Sequence, residues 1–434
     1  MLYEKNWASL NTRPVPAWFE DAKFGIFIHW GLYSVPAFAG KTDYAEWYGW
    51  NLRSEKENAT TAFHKRVCGG KKQYADFVAD FQAELFDAGE WADIFRRSGA
   101  KYINFVSKHH DGFCMFKTAH AWNWNSFDVG PHRDFCAELS RALENTGVRF
   151  GVYHSIYEWF HPLYLENPER YAVEHLLPML KELVETYRPA TLFTDGEWSH
   201  PSAVWHSEEF LQWLYNESSV RDFIVPNDRW GSETRGRLGG NFTTEYGTID
   251  GKRTLDDGDG RPFEECRGIG HSFGLNRNER AEDYLSAAEL IWMLCDLVSK
   301  GGNLLLNVGP SADGKIPPLM EERLLQIGRW LAVNGEAIYG SRRYGGAAEE
   351  DEVRYTKRGG FVYALLNAFP FGARTLKSVP FAPETRAILL GDDSGAEIQT
   401  GDDNGSLRLC FPPLPPDAQK SRYVYAVRLE NVRG

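Results

Sequence analysis

Apolar segments of strand length alternate with helix-patterned segments from about residue 20 to about residue 340, and this alternation constrains the fold more than any other feature. Several of the apolar segments are nearly continuous, as expected for strands that are covered on both faces. Eight such strands alternating with helices predict an α/β fold, a (β/α)8-type barrel. A doubly wound sheet is the structural rival, but the G-x-G-x-x-G pattern after the first strand is missing. The predicted strands are 25–31, 102–108, 149–155, 191–198, 223–229, 241–246, 263–270 and 303–310.

The pattern changes after about residue 345. Short β-rich segments with Gly, Asp and Asn turns then follow one another without helices. This arrangement predicts a small C-terminal β-sandwich. We place the boundary near Ser341–Gly346, which gives a catalytic barrel over residues 1–343 and a sandwich over residues 344–434.

Charge and composition argue against several classes of partner. The 434 residues include 60 acidic and 48 basic side chains, a formal net charge of −12. Nucleic-acid binding needs a clustered positive surface, so no nucleic-acid partner is expected. No window reaches about 18 uninterrupted apolar residues, so no membrane partner is expected. Aromatic residues make up 14% of the chain, and surplus Trp and Tyr often line sites that stack on sugar rings.

The N-terminal segment and the cysteines bear on the cellular compartment. The first 25 residues lack a basic start followed by an apolar core, so no signal peptide is visible. The six cysteines are dispersed and contain no C-x-x-C pair, which indicates reduced and mostly buried thiols. We therefore expect a cytoplasmic protein of bacterial origin.

Polar side chains follow six of the eight predicted strands, at the point where each strand ends. The active site of a (β/α)8 barrel lies at the carboxyl ends of its strands. A ring of polar side chains at those ends therefore predicts the position of the active site. The ring consists of His29, Lys108, His109, His110, Asp111, Tyr153, His154, Ser155, Asp195, Glu197, Asn227, Asp228, Arg229 and Glu245.

Histidines at a barrel opening first suggest a metal site, but their spacing argues against one. Two ligands on one strand should be two residues apart, because strand side chains alternate between faces. His109 and His110 are adjacent, so they cannot share a face unless the strand has already ended. No H-x-H, H-E-x-x-H or Cys-His zinc spacing occurs. The acidic run 255–265 begins like an EF-hand loop, but Arg261 and Pro262 stand where a ligand and the required Gly belong. We expect no metal and no cofactor.

A barrel opening rich in carboxylates and aromatic residues favours glycoside hydrolysis. That reaction needs two carboxyl groups, one ionised and one able to protonate the leaving oxygen. Asp195 is the best candidate for the ionised group, because it ends a buried apolar strand at the rim of the barrel. Glu197 is two residues further along, but we expect Gly196 to break the strand and turn Glu197 outward.

The chain resembles the α-L-fucosidases of glycoside hydrolase family 29. The resemblance covers about residues 17–340 in the family's order, and the β-rich tail fits the family's C-terminal sandwich. The combination of IHWG, KHHDGF and NDRWG is specific to this family. The matching segments are WFEDAKFGIFIHWGLYSVPAF, YAEWY, KYINFVSKHHDGFCMF, FGVYHS, LFTDGEW, VPNDRWG, TTEYG, RGIGHSFGLNRNE and SKGGNLLLNVGP.

The resemblance implies a retaining exo-α-L-fucosidase, which releases terminal fucose from fucosylated oligosaccharides or glycoconjugates through a covalent fucosyl-enzyme. It implies Asp195 as the nucleophile and Arg229 near the catalytic carboxylates. Phe193 departs from the family, because many members have Trp two residues before the nucleophile, but apolar contact with the sugar is retained. Transfer of fucose to sugars and assembly into a homo-oligomer stay open. The other residues that the resemblance places around fucose are His29, Tyr44, Glu46, Trp47, His109, His110, Tyr153 and Phe273.

The general acid has two candidates. Glu245, in TTEY at the end of a short strand, matches the acid/base position of the family's broad-specificity members. Glu264, in PFEEC, matches a Trp-Glu pair found elsewhere in the family, but the adjacent Glu265 favours a structural ion pair at that position. We favour Glu245 and keep Glu264 as the alternative.

Two other functions compete with that of a fucosidase. A catalytically dead fucose-binding protein is expected to have lost one of the two carboxylates, and both Asp195 and Glu245 are present. A metal-dependent barrel hydrolase is the third hypothesis. The histidines outside the predicted site are expected to be structural (His154 and His271) or to lie on the surface or in loops (His64, His120, His132, His161, His175, His200 and His206).

Overall fold

A computed structural model describes residues 2–249, 261–345, 350, 352–369, 371–415 and 417–432. Most of the acidic run predicted to begin like an EF-hand, residues 255–260, lies outside the described residues. The helices are α1 (Trp7–Leu10), α2 (Ala17–Ala22), α3 (Tyr48–Asn51), α4 (Ala59–Cys68), α5 (Ala88–Arg97), α6 (Phe135–Leu143), α7 (Pro162–Glu166), α8 (Pro168–Tyr171), α9 (Leu177–Tyr187), α10 (Ser207–Asn216), α11 (Ala287–Ser299) and α12 (Pro318–Asn334). The strands are β1 (Phe24–Ile28), β2 (Tyr102–Lys108), β3 (Val152–Ser155), β4 (Thr191–Asp195), β5 (Val225–Pro226), β6 (Phe242–Glu245), β7 (Phe263–Gly268), β8 (Asn303–Val308), β9 (Arg342–Arg343), β10 (Val353–Arg358), β11 (Phe361–Leu366), β12 (Gly372–Pro380), β13 (Arg386–Leu389), β14 (Gln399–Asp403), β15 (Ser406–Phe411) and β16 (Tyr425–Glu430).

The first eight strands form one parallel sheet in the order β5-β4-β3-β2-β1-β8-β7-β6, which confirms the predicted (β/α)8-type barrel. The two edges of this sheet meet at a single parallel bridge between Asn227 and Asn241. There the Asn241 backbone N–H donates to the Pro226 carbonyl over 2.9 Å. Strand β5 has only two residues, and Pro226 has no N–H to extend its ladder. The barrel is therefore least regular between β5 and β6.

Two apolar layers hold the barrel together. Large side chains of the helices and of the outward strand faces form the outer layer, and a smaller cluster that includes Phe27, Val106 and Leu305 fills the interior. Helix α2 closes the amino-terminal end, where Phe19 joins the inner cluster and its carbonyl accepts a 2.8 Å hydrogen bond from Asn303 Nδ2. The interior is therefore packed at the amino-terminal end, and the strands' carboxyl ends are left for a site.

Strands β9 to β16 form antiparallel sheets, as predicted for the C-terminal part. One sheet has the order β13-β16-β11-β10-β9 and the other β12-β15-β14, and the two share a separate apolar core. The sandwich contacts the barrel through a 2.7 Å hydrogen bond from Trp330 Nε1 to the Val424 carbonyl and an ion pair between Arg354 and Asp296. The boundary at 343/344 stays a prediction.

The cysteines are all free thiols, and four of the six are buried, in agreement with the prediction. Of the helices in the described ranges, none combines the length and the hydrophobicity needed to cross a bilayer.

We expect Gly328→Ala to destabilise the barrel. Gly328 lies on α12 where this helix crosses the end of α5, and a Cβ atom there would stand 1.9 Å from the Arg97 carbonyl oxygen. The resulting overpacking should lower the free energy of unfolding by about 1–3 kcal/mol, which outweighs the roughly 1 kcal/mol gain in helix propensity. Denaturant unfolding measures the effect. Gly360→Ala is the control, because a Cβ there meets nothing within 4 Å, and equal stability of the two variants would contradict the prediction.

Candidate active site

A pocket of about 130 Å³ opens at the carboxyl end of the barrel. Its wall contains every residue predicted to act in catalysis or to contact fucose, except the alternative acid Glu264: His29, Tyr44, Glu46, Trp47, His109, His110, Tyr153, Phe193, Asp195, Arg229, Glu245 and Phe273. Phe27, Trp198 and Cys266 complete the lining. The motifs and the family resemblance therefore named twelve of the fifteen residues that line this pocket, and their roles stay predictions.

Strand periodicity explains how these side chains converge. Phe27 and His29 are two residues apart around the end of β1, as are Phe193 and Asp195 on β4, so both pairs face the barrel interior. A 3₁₀ helix in the loop after β1, Ala45–Trp47, adds residues from above.

The ring of polar strand ends divides between the pocket wall and its surroundings, and alternation alone does not explain the division: the adjacent His109 and His110 both line the pocket, because β2 ends at Lys108. Seven of its members line the pocket, and seven do not. Ser155 and Asn227 show what the second group does, because Ser155 Oγ lies 2.6 Å from His110 Nδ1 and Asn227 Nδ2 donates to the Thr194 carbonyl over 2.8 Å. The members outside the pocket wall are Lys108, Asp111, His154, Ser155, Glu197, Asn227 and Asp228.

Asp195 is buried and densely hydrogen-bonded. Its Oδ1 accepts from Arg229 Nη1 over 2.7 Å and from Arg235 Nη2 over 2.9 Å. Its Oδ2 accepts from the Tyr153 hydroxyl over 3.0 Å and lies 3.7 Å from His110 Nε2. Burial alone would raise the pKa of Asp195, but the charges of Arg229 and Arg235 outweigh it and hold this pKa below its usual range. Asp195 is therefore an ionised carboxylate.

Arg235 is a site residue that sequence reasoning missed. It lies in the connection between β5 and β6, and it links Asp195 to Glu197 by donating from Nε and Nη2 to the Glu197 carboxylate. The expectation that Glu197 turns outward is wrong: β4 ends at Asp195 as predicted, but Glu197 is only 1% exposed and faces Arg235. A buried guanidinium needs a counter-charge, and Glu197 supplies it. A glutamate two residues after a strand-ending aspartate was the one available sequence signal.

The two candidate acids lie at different depths. Glu245 ends β6 at the pocket, with its side chain 30% exposed, and its Oε2 lies 3.4 Å from Arg229 Nη2. Glu264 lies near the start of β7 and accepts a hydrogen bond from Tyr102, which packs on Phe19 at the closed end of the barrel. Burial raises the pKa of Glu264 to about 7. Glu264 is therefore remote from the opening, whereas one guanidinium contacts both Asp195 and Glu245.

The three histidines of the pocket are neutral. Burial lowers the pKa of His29 to about 3 and that of His110 to about 4, and it lowers the pKa of His109 well below its usual value. His29 Nδ1 lies 2.7 Å from Asn307 Oδ1, which fixes its ring. A neutral imidazole offers one donor and one acceptor, so this cluster suits hydroxyl groups.

Glu46 is the third carboxyl group of the pocket. Burial raises its pKa to about 8, although its Oε2 accepts hydrogen bonds from the Gly274 N–H over 2.8 Å and from Ser272 Oγ over 3.3 Å. At neutral pH the group is therefore largely protonated and can donate a hydrogen bond. The pocket holds carboxyl groups in both ionisation states.

Aromatic rings form the apolar wall. Phe27 lies 5.1 Å from Phe193 and 6.3 Å from Phe273, measured between ring centroids. Trp47 and Trp198 stack 6.1 Å apart beside the opening. Such a wall suits the apolar face and methyl group of a deoxy sugar.

Two histidines predicted for the surface or loops are buried instead. The His64 ring lies 2.9 Å from the Tyr48 hydroxyl, and His175 Nε2 lies 3.3 Å from Glu158 Oε2.

Among the described residues, Glu158, His161 and His175 are the one group whose metal-binding atoms lie within 4.8 Å of one another. Lys108 Nζ, 2.9 Å from the same Glu158 oxygen, already neutralises this carboxylate. The pairing of Glu158 with Lys108 explains the cluster without an ion.

The pocket contains the ionised carboxylate of Asp195 and a second carboxyl group, that of Glu245, which contacts the same guanidinium of Arg229. It also contains groups that can bind hydroxyls, next to an apolar wall. Two carboxyl groups flanking a sugar are what hydrolysis of a glycosidic bond requires. A barrel with this pocket at the carboxyl ends of its strands is a glycoside hydrolase.

Comparison with known proteins identifies the family. The family described as "Alpha-L-fucosidase" matches residues 1–336. An α-L-fucosidase of Dictyostelium discoideum is 41% identical over 99% of this chain and 95% of its own, and human tissue α-L-fucosidase is 40% identical over 99% and 92%. The crystal structure of Thermotoga maritima α-fucosidase in complex with a mechanism-based inhibitor has a TM-score of 0.85 at 35% identity, covering 98% of this chain and 99% of that one.

The chain therefore belongs to the α-L-fucosidase family, glycoside hydrolase family 29, and hydrolyses α-linked L-fucose from fucosylated substrates. The resemblance drawn from the sequence motifs is confirmed. The expectation of a bacterial cytoplasmic protein is wrong, because the curated relatives at about 40% identity are eukaryotic and are named tissue and plasma enzymes of mammals among others.

We expect Arg235→Gln to make the enzyme more sensitive to acid. The charge of Arg235 helps to hold the pKa of Asp195 down, so its removal should raise that pKa. Activity that needs ionised Asp195 is present above this pKa and lost as the pH falls through it, so the loss should begin at a higher pH in the variant. A drop of roughly 10- to 100-fold in kcat/KM should accompany loss of the charged hydrogen bond.

The pH profile of kcat/KM on an aryl α-L-fucoside measures this shift. Arg237→Gln is the matched control, since Arg237 is an exposed arginine of the same loop. An acid limb that moves equally in both variants would contradict the assignment.

Proposed function

We propose that the enzyme is a retaining exo-α-L-fucosidase in which Asp195 attacks the anomeric carbon and Glu245 serves as acid and then base. The observation that carries the proposal is the contact of one guanidinium, that of Arg229, with both carboxyl groups. Retaining enzymes hold their two carboxyl groups closer together than inverting enzymes, which leave room for a water molecule.

The surroundings of Asp195 support its role as nucleophile. Both guanidinium groups contact Oδ1, whereas Oδ2 accepts from an uncharged donor, the Tyr153 hydroxyl. Oδ2 is therefore the oxygen with greater freedom to form the bond to fucose.

Among the similar structures, an aspartate-to-glycine variant of the Thermotoga maritima enzyme is described as a fucosynthase. Loss of an aspartate in a relative thus alters glycosyl transfer, which supports an aspartate nucleophile here.

The exposure of Glu245 supports its role as acid/base. This group must first protonate the leaving oxygen and later deprotonate a water molecule, so it has to meet the acceptor side of the sugar. Glu245 is the most exposed of the carboxylates paired with Arg229 or Arg235, at 30%. A sugar hydroxyl that replaces water in the second step would give transfucosylation as a side reaction.

The remaining residues fit recognition of fucose. Neutral His29, His109 and His110 can donate to and accept from hydroxyl groups, and protonated Glu46 adds a donor. Phe193 and Phe273 supply an apolar surface for the methyl group. A closed pocket of this volume favours a terminal sugar, which supports exo action.

We expect hydrolysis of an aryl α-L-fucoside to release α-fucose first. Two successive inversions at the anomeric carbon restore its configuration. Proton NMR identifies the anomer that is formed first. Early appearance of β-fucose would contradict the proposed double-displacement mechanism.

The same mechanism predicts the behaviour of Asp195→Gly. Turnover should fall by at least about 10³-fold, because the covalent intermediate can no longer form. Azide, entering the vacated space, should restore part of the reaction and give β-fucosyl azide. Asp222→Gly, at an exposed aspartate, serves as the control.

The general acid is tested by leaving groups. Removal of the true acid should slow substrates with poor leaving groups far more than 4-nitrophenyl fucoside, because only the former need protonation. We expect this pattern, with α-fucosyl azide formed in the presence of azide, for Glu245→Ala. Glu264→Ala should instead reduce stability, because Tyr102 loses its buried partner. The reverse result would exchange the two assignments.

A further inference from the structure

A second cavity lies beside the active site on the same face of the barrel. Its volume of about 540 Å³ is roughly four times that of the catalytic pocket. The loops after β2 and β3 and residues 73–75, between α4 and α5, form its walls. The loop after β2 also supplies His109 and His110 to the catalytic pocket. We call this cavity the aromatic groove, after four of its lining residues: Tyr74, Trp122, Trp124 and Phe160.

Trp159 separates the groove from the catalytic pocket. Its backbone N–H donates to the His110 carbonyl over 2.8 Å, and its ring lies 5.3 Å from that of Trp47. The next residue along the chain, Phe160, already lines the groove and is 40% exposed. A glycan whose fucose occupies the catalytic pocket therefore has this groove within reach of its neighbouring sugars.

Trp122 presents its ring to solvent on a fixed loop. It is 81% exposed, which is unusual for the largest apolar side chain. The adjacent Asn123 N–H donates to Asp128 over 3.1 Å, and Asn125 Nδ2 donates to the Ala121 carbonyl over 2.9 Å. Because these bonds hold the backbone on both sides, little order has to be gained when a ligand stacks on Trp122.

Two other aromatic residues of the groove, Trp124 and Tyr74, are also held by hydrogen bonds. Trp124 Nε1 donates to the Asp111 carbonyl over 3.0 Å, and the Tyr74 hydroxyl donates to Asp111 Oδ2 over 2.7 Å. Asp111, a member of the predicted polar ring, thus positions groove residues instead of lining the catalytic pocket. The groove is preformed in the same way as the pocket.

The lining chemistry favours a neutral sugar. Flat aromatic faces stack on the apolar face of a pyranose, and the side chains of Gln73, His120 and His161 provide polar partners for hydroxyl or acetamido groups. The lining contains the carboxyl groups of Asp111 and Glu158 and, among its described residues, no lysine or arginine, so it favours a neutral sugar over an acidic one. The guanidinium of Arg53 lies beside this lining, 5.5 Å from the Phe160 ring.

We propose that the aromatic groove is a second carbohydrate site, which binds neutral hexose or N-acetylhexosamine units of a fucosylated oligosaccharide while its fucose occupies the catalytic pocket. The inference rests on the proposed function for the identity of the whole substrate. It adds that substrate preference is decided partly outside the fucose pocket.

Direct binding tests the groove without catalysis. Lacto-N-neotetraose, a neutral tetrasaccharide without fucose, is titrated by NMR into the full-length enzyme with the catalytic pocket blocked by deoxyfuconojirimycin. We expect binding to the wild type, and affinity weaker by roughly three- to ten-fold in Trp122→Ala, as loss of an aromatic stacking contact implies. Phe371→Ala, which removes another exposed aromatic residue at 78% exposure, should bind like the wild type.

Kinetics separate this inference from the proposed function. Trp122→Ala should lower kcat/KM on a fucosylated oligosaccharide by a similar factor and leave 4-nitrophenyl fucoside unaffected, since the latter has no further sugars. Absence of tetrasaccharide binding to the blocked enzyme, or equal binding by Trp122→Ala, would each contradict the proposal that the aromatic groove binds sugars. Failure of the enzyme to turn over 4-nitrophenyl fucoside would overturn the proposed function alone, because tetrasaccharide binding does not depend on it.

Discussion

Asp195 keeps its negative charge inside a buried pocket, and the rest of the site depends on how that charge is compensated. An unpaired carboxylate in such a place would cost several kcal/mol and would take up a proton instead. Two guanidinium groups on one oxygen prevent this. Each cation then needs its own partner, which Glu245 provides for Arg229 and Glu197 for Arg235. Charge compensation therefore extends from a single aspartate to a network of five groups.

The cations of this network come from the part of the barrel where strand pairing is least regular. Strands β5 and β6 share one bridge, and the segment between them supplies Arg229 and Arg235. Asp228 strengthens this junction, because its carboxylate accepts from the Gly236 N–H over 2.7 Å and from the Thr243 N–H and hydroxyl. A side chain thus replaces ladder hydrogen bonds that a two-residue strand cannot make. Irregular backbone is what lets two arginines reach one carboxylate here, since residues six positions apart on a regular strand would lie roughly 20 Å from each other.

The residues that suit sugar binding and the residue that carries the negative charge of the pocket differ in how burial affects their charge. The histidines and Glu46 lose their charge through burial and so match uncharged hydroxyl groups, whereas Asp195 retains its charge through the arginines. Outside the pocket, recognition depends on exposed aromatic faces on anchored loops, of which Trp122 is the clearest. The carboxyl ends of β2 and β3 serve both regions, so a single face of the barrel presents the catalytic pocket and the aromatic groove.

The strand pattern predicted the barrel and the part of the pocket that the strand ends supply, and the family resemblance supplied the other predicted pocket residues. Strands that are covered on both faces have nearly continuous apolar sequences, so they can be recognised in the chain. Because the carboxyl ends of the strands of a parallel barrel meet at one end, this pattern places residues such as His29 and Asp195 together. The positions of Arg235 and Glu197 follow from the tertiary structure, because no periodic pattern in the sequence predicts them. Arg235 lies in a loop whose path depends on Asp228 and on the seam of the barrel, and Glu197 is buried because that arginine reaches it. The predicted strands already placed Glu245 near a strand end and Glu264 near a strand start, but only the structure shows that Glu264 pairs with Tyr102, which is 162 positions away in the chain.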